Sequence, residues 1–205
     1  MIALVDYGGG NLKSVANAIH VLGYEFKLTS SPEEILSAEA VILPGVGAAA
    51  DTMAGLQSKG LDKAIKELVE RDIPLLAICV GMQVLFDYTA EGDNTKCLGI
   101  LQGDVKRLPE GLKIPQMGWN QLKQRVSHPI FEGIPDGTDF YFVHSYYASP
   151  ADPGIIGGTT DYGVDFCSLV ISKRLIATQF HPEKSGSYGL KLYQNFFKMA
   201  LGDKK

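Results

Sequence analysis

Three side chains in this chain have the types and spacing for nucleophilic acyl chemistry. Cys79 stands in Ala77-Ile78-Cys79-Val80-Gly81-Met82-Gln83, directly after the apolar run Ile73-Pro74-Leu75-Leu76. Such a run reads as a buried strand, and the residues after it as a sharp turn into a helix. A thiol at that junction points off the strand end and sits at a helix N-terminus. Amide N–H groups and the helix dipole there favour the thiolate, the reactive form. About a hundred residues later comes Gln179-Phe180-His181-Pro182-Glu183, again after a strand-like run. A nucleophile, a base and a carboxylate to orient the base are all available. In an extended His-Pro-Glu, residues two apart project to the same side, so Glu183 can fix the imidazole of His181.

The elements around them must bring these groups together. Ile2 to Val5 is a short apolar run, followed by a glycine-rich turn at Gly8 to Asn11. Leu12, Val15, Ala16, Ile19 and Leu22 then fall at helical spacing. Ala40 to Leu43 reads as a second buried strand, closed by Pro44-Gly45-Val46-Gly47. A helical pattern through Leu61, Ile65, Leu68 and Val69 precedes the strand that delivers Cys79. The helix after it carries Val84, Leu85 and Phe86. This alternation argues an α/β fold with a parallel sheet. Residues 101–108, 140–147, 166–171 and 175–180 read as further strands added antiparallel to the same sheet. Residues 189–201 read as a closing helix with Leu190, Tyr193, Phe196, Phe197 and Ala200 on its apolar face. Residues 202–205 are expected to fray.

Ligand sites of open α/β sheets lie beyond the carboxyl ends of the parallel strands. The turns at Gly8–Asn11, Pro44–Gly47 and Cys79–Gly81 fall there. The Cys79 setting parallels the G-x-S-x-G elbow, with Ala77 in place of the first glycine. The N–H of Val80, and one from Gly45, Val46 or Gly47, are the candidate oxyanion donors. The other histidines read as structural: His20 on the first helix, His128 in a turn, and His144 packed on one face with Phe140, Phe142 and Tyr146.

Bulk properties exclude several classes. The 205 residues suffice for one domain, 1–205, needing no disulfide or metal staple. A net charge of −4 with no basic stretch makes nucleic acid an unsuitable partner. Cys79, Cys97 and Cys167 are an odd number with no C-x-x-C pair, so neither a disulfide framework nor a metal site is expected. The apolar runs are too short to span a membrane, and Met1 to Asp6 has no signal-peptide pattern. A soluble cytoplasmic protein is expected. The Gly8–Gly10 run lacks the G-x-G-x-x-G spacing, with Lys13 at the last position, so no nucleotide cofactor is expected.

With the cysteine and His-Pro-Glu motifs in place, the chain resembles the class I (triad) glutamine amidotransferases over nearly its whole length. Within that family it is most similar to the glutaminase subunits of imidazole glycerol phosphate synthase. The carrying segments are Val5-Asp6-Tyr7-Gly8 with Gly10-Asn11, Leu43 to Gly47, Cys79 to Gln83, Met117-Gly118-Trp119-Asn120, Phe142 to Tyr146, Asp161-Tyr162-Gly163 and Gln179 to Lys184. Gln116 departs from the pattern, standing where relatives often carry His.

The resemblance implies a flavodoxin-like fold, a central mixed, mostly parallel sheet flanked by helices. It implies a Cys79–His181–Glu183 triad that hydrolyses glutamine without cofactor or metal. Gln83 and the backbone around Ser145 and Tyr146 would hold the substrate's α-amino and α-carboxylate groups. Ammonia would pass through a channel to a cyclase subunit, a (β/α)₈ barrel, in a heterodimer of histidine biosynthesis. Asn11 and Trp119 would lie near that interface, with a core tryptophan as the alternative for Trp119. Poor activity of the free subunit is also implied. Glutaminase subunits for nucleotide-sugar, anthranilate, aminodeoxychorismate or pyridoxal phosphate pathways share the triad and are the nearest rivals. An inactive scaffold and another cysteine hydrolase are more distant ones.

Overall fold

The computed structural model describes residues 1–92 and 94–202. In chain order the elements are β1 (Ile2–Val5), α1 (Leu12–Val21), β2 (Phe26–Thr29), α2 (Pro32–Leu36), β3 (Ala40–Leu43), α3 (Ala49–Ser58), α4 (Leu61–Glu70), β4 (Leu75–Ile78) and α5 (Val80–Gln83). They continue with β5 (Tyr88–Thr89), β6 (Thr95–Lys96), β7 (Gly103–Arg107), β8 (Gln116–Gln124), β9 (Thr138–His144), β10 (Tyr146–Pro150), β11 (Ile156–Asp161), β12 (Asp165–Ser172), β13 (Leu175–Thr178) and α6 (Gly186–Leu201).

The strands form one mixed sheet ordered β2-β1-β3-β4-β13-β12-β10-β7-β5-β6. From β2 to β13 every neighbour is parallel. At β12 the direction reverses, and β12, β10 and β7 continue antiparallel. A branch leaves through β11, which pairs β12 and β8, and β8 pairs β9. The parallel centre is apolar because both faces are covered. β1, β3, β4 and β13 are buried at every position. The helices fall into two groups, α1 with α6 and α2 and α3 with α4.

Several elements differ from the sequence expectation. The helix after Cys79 is only four residues long. Val84, Leu85 and Phe86 leave it because their backbone groups bond to the 98–101 segment. The expected 140–147 strand is two, β9 and β10, broken at Ser145. The 175–180 strand, expected to add antiparallel, is β13 and runs parallel to β4, being antiparallel only to β12. β2, β8 and β11 were not anticipated, nor were α2 and α3. In the closing helix Leu192 is buried with Tyr193, Phe196 and Phe197, while Leu190 is only partly covered. Of residues 202–205, the last three lie outside the described residues.

Candidate active site

Cys79 ends β4 with φ 54° and ψ −111°. A non-glycine residue at such angles costs about 1–3 kcal/mol and persists only where its surroundings hold it. Here the Cys79 N–H donates to the Thr178 carbonyl at 2.7 Å, and its carbonyl accepts from Met82 and Gln83 at 3.0 and 3.1 Å. Glycine makes the turn fit. A Cβ on Gly81 would lie 2.4 Å from the Leu43 carbonyl oxygen, and one on Gly45 would lie 2.2 Å from the Gly81 nitrogen. The β3 end and the elbow therefore mesh backbone to backbone. Ala77, the departure from the elbow pattern, is buried inside β4 and raises no such conflict. Since α5 has one turn, the helix dipole expected at Cys79 is small.

The candidate base, His181, arrives from the neighbouring strand. β13 lies beside β4 in parallel register, so the segment after Thr178 emerges next to Cys79. The His181 N–H donates to the Tyr141 carbonyl at 2.9 Å. Ser185 Oγ donates to the His181 carbonyl at 2.7 Å and accepts from the Tyr141 N–H at 3.0 Å, tying this loop to β9. The expected extended His-Pro-Glu is instead a 3₁₀ turn over Pro182–Lys184. The turn brings Glu183 Oε1 2.8 Å from His181 Nδ1, with both side chains buried. Asn11 Nδ2 donates to the same oxygen at 3.3 Å. Gly189 lets α6 close beneath, since a Cβ there would lie 1.9 Å from the Pro182 oxygen.

Charge then decides the protonation of His181. Burial works to lower its pKa, but the sulfur of Cys79 in its ionised form and the Glu183 carboxylate outweigh it and push it up to about 10. Nδ1 is committed to Glu183, which leaves Nε2 for the reacting side. Cys97 and Cys167 are different in kind. Both are free and buried, and burial pushes them up to about 11 and about 12.

A cavity of about 230 Å³ opens over these groups. That is below the usual volume of drug-sized sites, roughly 300–1,000 Å³, and suits a small ligand. Cys79, His181, Val46, Gly47, Val80, Gln83, Ser145 and Tyr146 all line it. Gly45 does not, and its part is the close approach to Gly81. Glu183 lies behind His181, out of the cavity. Burial pushes the Tyr7 hydroxyl up. Asn11 is held against Glu183 rather than free. Trp119 is 58% exposed and edge-on to Tyr141 at 6.0 Å, which removes the core alternative. His20 is exposed at the end of α1 and His128 Nδ1 accepts from the Ile130 N–H.

Sequence reasoning missed Glu91. Its carboxylate lines the cavity and accepts from the Ala49 N–H at 2.6 Å, at the start of α3. It lies in a turn with no periodicity, and its sequence context carries no sign of the cavity. Among the described residues no group of three or more His, Cys, Asp and Glu could hold a metal, and no helix is long and apolar enough to cross a membrane.

Comparison with known proteins agrees with this geometry. The family model for glutamine amidotransferase class-I matches residues 3–200. An imidazole glycerol phosphate synthase subunit HisH from Dehalococcoides mccartyi is 98% identical over 205 residues, covering 100% of both chains. HisH subunits from Moorella thermoacetica and Chloroflexus aurantiacus are 52% and 51% identical, over 95% and 98% of this chain and 93% and 96% of theirs. A crystal structure of a glutamine amidotransferase superposes with a TM-score of 0.77 at 21% identity, covering 98% of this chain and 99% of that one, which speaks to the fold. The chain belongs to the class-I glutamine amidotransferases and, within them, to the HisH subunits of imidazole glycerol phosphate synthase.

Proposed function

We propose that this single domain, 1–205, is the glutaminase of a two-subunit synthase and that Cys79, His181 and Glu183 perform the hydrolysis. The observation that carries this is the elbow: a cysteine at positive φ lining a small cavity with a histidine whose far nitrogen is held by a buried carboxylate. The Cys79 thiolate attacks the side-chain amide carbon of glutamine, forming a C–S bond. His181 Nε2–H gives its proton to the leaving nitrogen, and the C–N bond breaks to release ammonia. His181 then takes a proton from water, whose oxygen attacks the γ-glutamyl thioester and frees glutamate and the sulfur. Glu183 holds Nδ1 throughout, which keeps Nε2 directed at the reaction.

The substrate's α-amino group fits the Glu91 carboxylate, with Gln83 and the Ser145–Tyr146 backbone around the amino-acid end. The oxyanion is received by Val80 N–H and by a backbone N–H of Val46–Gly47. Turning this segment toward Cys79, at the positive φ of Gly47, is the change a partner must bring about.

The partner is the (β/α)₈ cyclase subunit, docked over exposed Trp119 and the Asn11 turn to form a cytoplasmic heterodimer. Ammonia passes to it and reacts with a phosphoribulosyl-formimino aminoimidazole carboxamide ribotide. The products are imidazole glycerol phosphate and aminoimidazole carboxamide ribotide.

The test is glutamate release from glutamine by the chain alone and with the cyclase plus its ribotide, with Cys79→Ala alongside. Strong stimulation lost in the variant is the expected result. Equal turnover with and without partner removes the activation step, and activity that survives Cys79→Ala removes the triad.

A further inference from the structure

Beside the triad, a line of polar side chains runs through the sheet and ends on the Cys79 sulfur. Gln116 on β8 lies opposite His144 on β9, with its amide oxygen position 3.0 Å from His144 Nε2. His144 Nδ1 lies 2.7 Å from the Tyr146 carbonyl oxygen. Gln83 Nε2 donates to that same oxygen at 2.9 Å and to Gln179 Oε1 at 3.0 Å. Gln179 Nε2 lies 3.7 Å from Cys79 Sγ. Gln83, Gln116, His144 and Gln179 are all buried, Gln179 completely.

One backbone atom sets the direction of every bond in this line. A carbonyl oxygen only accepts. Facing Tyr146 O, His144 must carry its proton on Nδ1, and Gln83 must present its NH₂. The second hydrogen of that NH₂ points at Gln179, which must therefore present its oxygen to Gln83. Only the Gln179 NH₂ remains for the sulfur. At the other end, His144 Nε2 is left as an acceptor. Gln116 then presents its NH₂ there, the two ends of an amide being alike in shape. Burial lowers His144 to about 4, in keeping with a neutral ring of one N–H.

The sulfur's other contact has the opposite character. Cys79 Sγ lies 3.9 Å from the Val143 carbonyl oxygen, which can accept a hydrogen bond from the thiol but opposes a negative sulfur. The Gln179 amide is the donor that offsets this.

We propose that Gln179 is a further catalytic residue, a fixed N–H donor to the Cys79 thiolate whose orientation is dictated by the Tyr146 carbonyl through Gln83. In hydrolysis the same donor holds the sulfur both as it attacks and as it leaves the thioester, and no proton moves through it. This rests on Cys79 being the nucleophile of the proposed function.

The test reads the sulfur directly, independent of glutamine. The full chain is alkylated with iodoacetamide across pH 6–10, and carboxamidomethyl at Cys79 is quantified by peptide mass. Gln179→Leu keeps the size and loses the donor; Gln179→Asn keeps the amide, drawn back by one methylene. Both are expected to react about tenfold more slowly near pH 7. Both are expected to converge on the unaltered chain at the alkaline end, where the sulfur ionises without help. A variant that reacts as fast as the unaltered chain near pH 7, or more slowly by the same factor at every pH, overturns the donor role. A chain that gives the expected curves yet does not hydrolyse glutamine overturns the proposed substrate and supports the donor.

Discussion

The parallel half of the sheet, β2 to β13, and the antiparallel half beyond it use their residues in opposite ways. In the parallel half every strand but the edge strand β2 is buried throughout, and the candidate reacting groups sit at the carboxyl ends, off the strands. Cys79 and His181 both follow strands that are buried at every position. In the antiparallel half the functional positions lie at strand ends and within strands. His144, Ser145 and Tyr146 straddle the break between β9 and β10 and form the cavity wall. Trp119 rides on β8, facing out. A covered sheet has no free surface along its strands, so its sites are confined to its edge. A sheet with one open face can place a wall on one side and a docking surface on the other.

The division can be tested at both ends. Cys79→Ala should lower glutamine turnover in the complex by at least about a thousandfold while leaving subunit association unchanged. A titration of partner binding alongside the glutamate assay checks both statements. Association lost with turnover would mean the two halves are not separable.

His144 carries the next largest expected effect. Burial holds it neutral, with a pKa lowered from 6.5 to about 4. The unfolded chain takes up the proton first as the pH falls. The stability that neutral His144 contributes is whole above pH 6.5 and drains away toward pH 4, by up to about 3 kcal/mol. Urea unfolding at a series of pH values should show that decline, and His144→Gln should flatten it. A slope untouched by the substitution would place the titrating group elsewhere.

Gly81→Ala strikes the parallel half without touching a reacting group. Its methyl would meet the Leu43 carbonyl at 2.4 Å, an atom that cannot swing aside. A loss of about 1–3 kcal/mol is expected in denaturant unfolding. Turnover should fall as well, because the elbow must shift.

Trp119→Ala is the smallest and the most selective. It should weaken partner binding about tenfold and leave the unfolding midpoint of the isolated chain in place. Unchanged affinity by calorimetry would move the docking surface off this face.

Legibility in the sequence followed the same division. β1, β3, β4 and β13 announce themselves as short apolar runs, and so Cys79 and His181 could be located from pattern alone, but the parallel pairing of β13 with β4 was not legible. The elbow was readable because a cysteine between a buried strand and a glycine has few other uses. β8 was not readable as a strand. Its Gln116-Met117-Gly118-Trp119-Asn120 start has little β preference, and its pairing with β9 holds it extended. β2 hides because its residues are largely uncovered. The length of α5 was overestimated, since residues 84–86 look helical until the 98–101 segment takes their hydrogen bonds. Glu91, and the pairing of Gln116 with His144, depend on contacts between distant segments that no local pattern encodes.

The position of β13 has a consequence for how the protein is made. It is the last strand in the chain, yet it lies in the middle of the sheet between β4 and β12. Until it is synthesised and inserted, β4 has an open edge, and the Thr178 carbonyl that fixes the Cys79 backbone is absent. His181, Glu183 and Gln179 arrive in that same terminal segment. A nascent chain therefore carries the Cys79 strand for about a hundred residues of synthesis before the segment that lies beside it is made. The sheet closes only when that carboxyl-terminal stretch is inserted, so the cavity takes shape late, together with the fold itself.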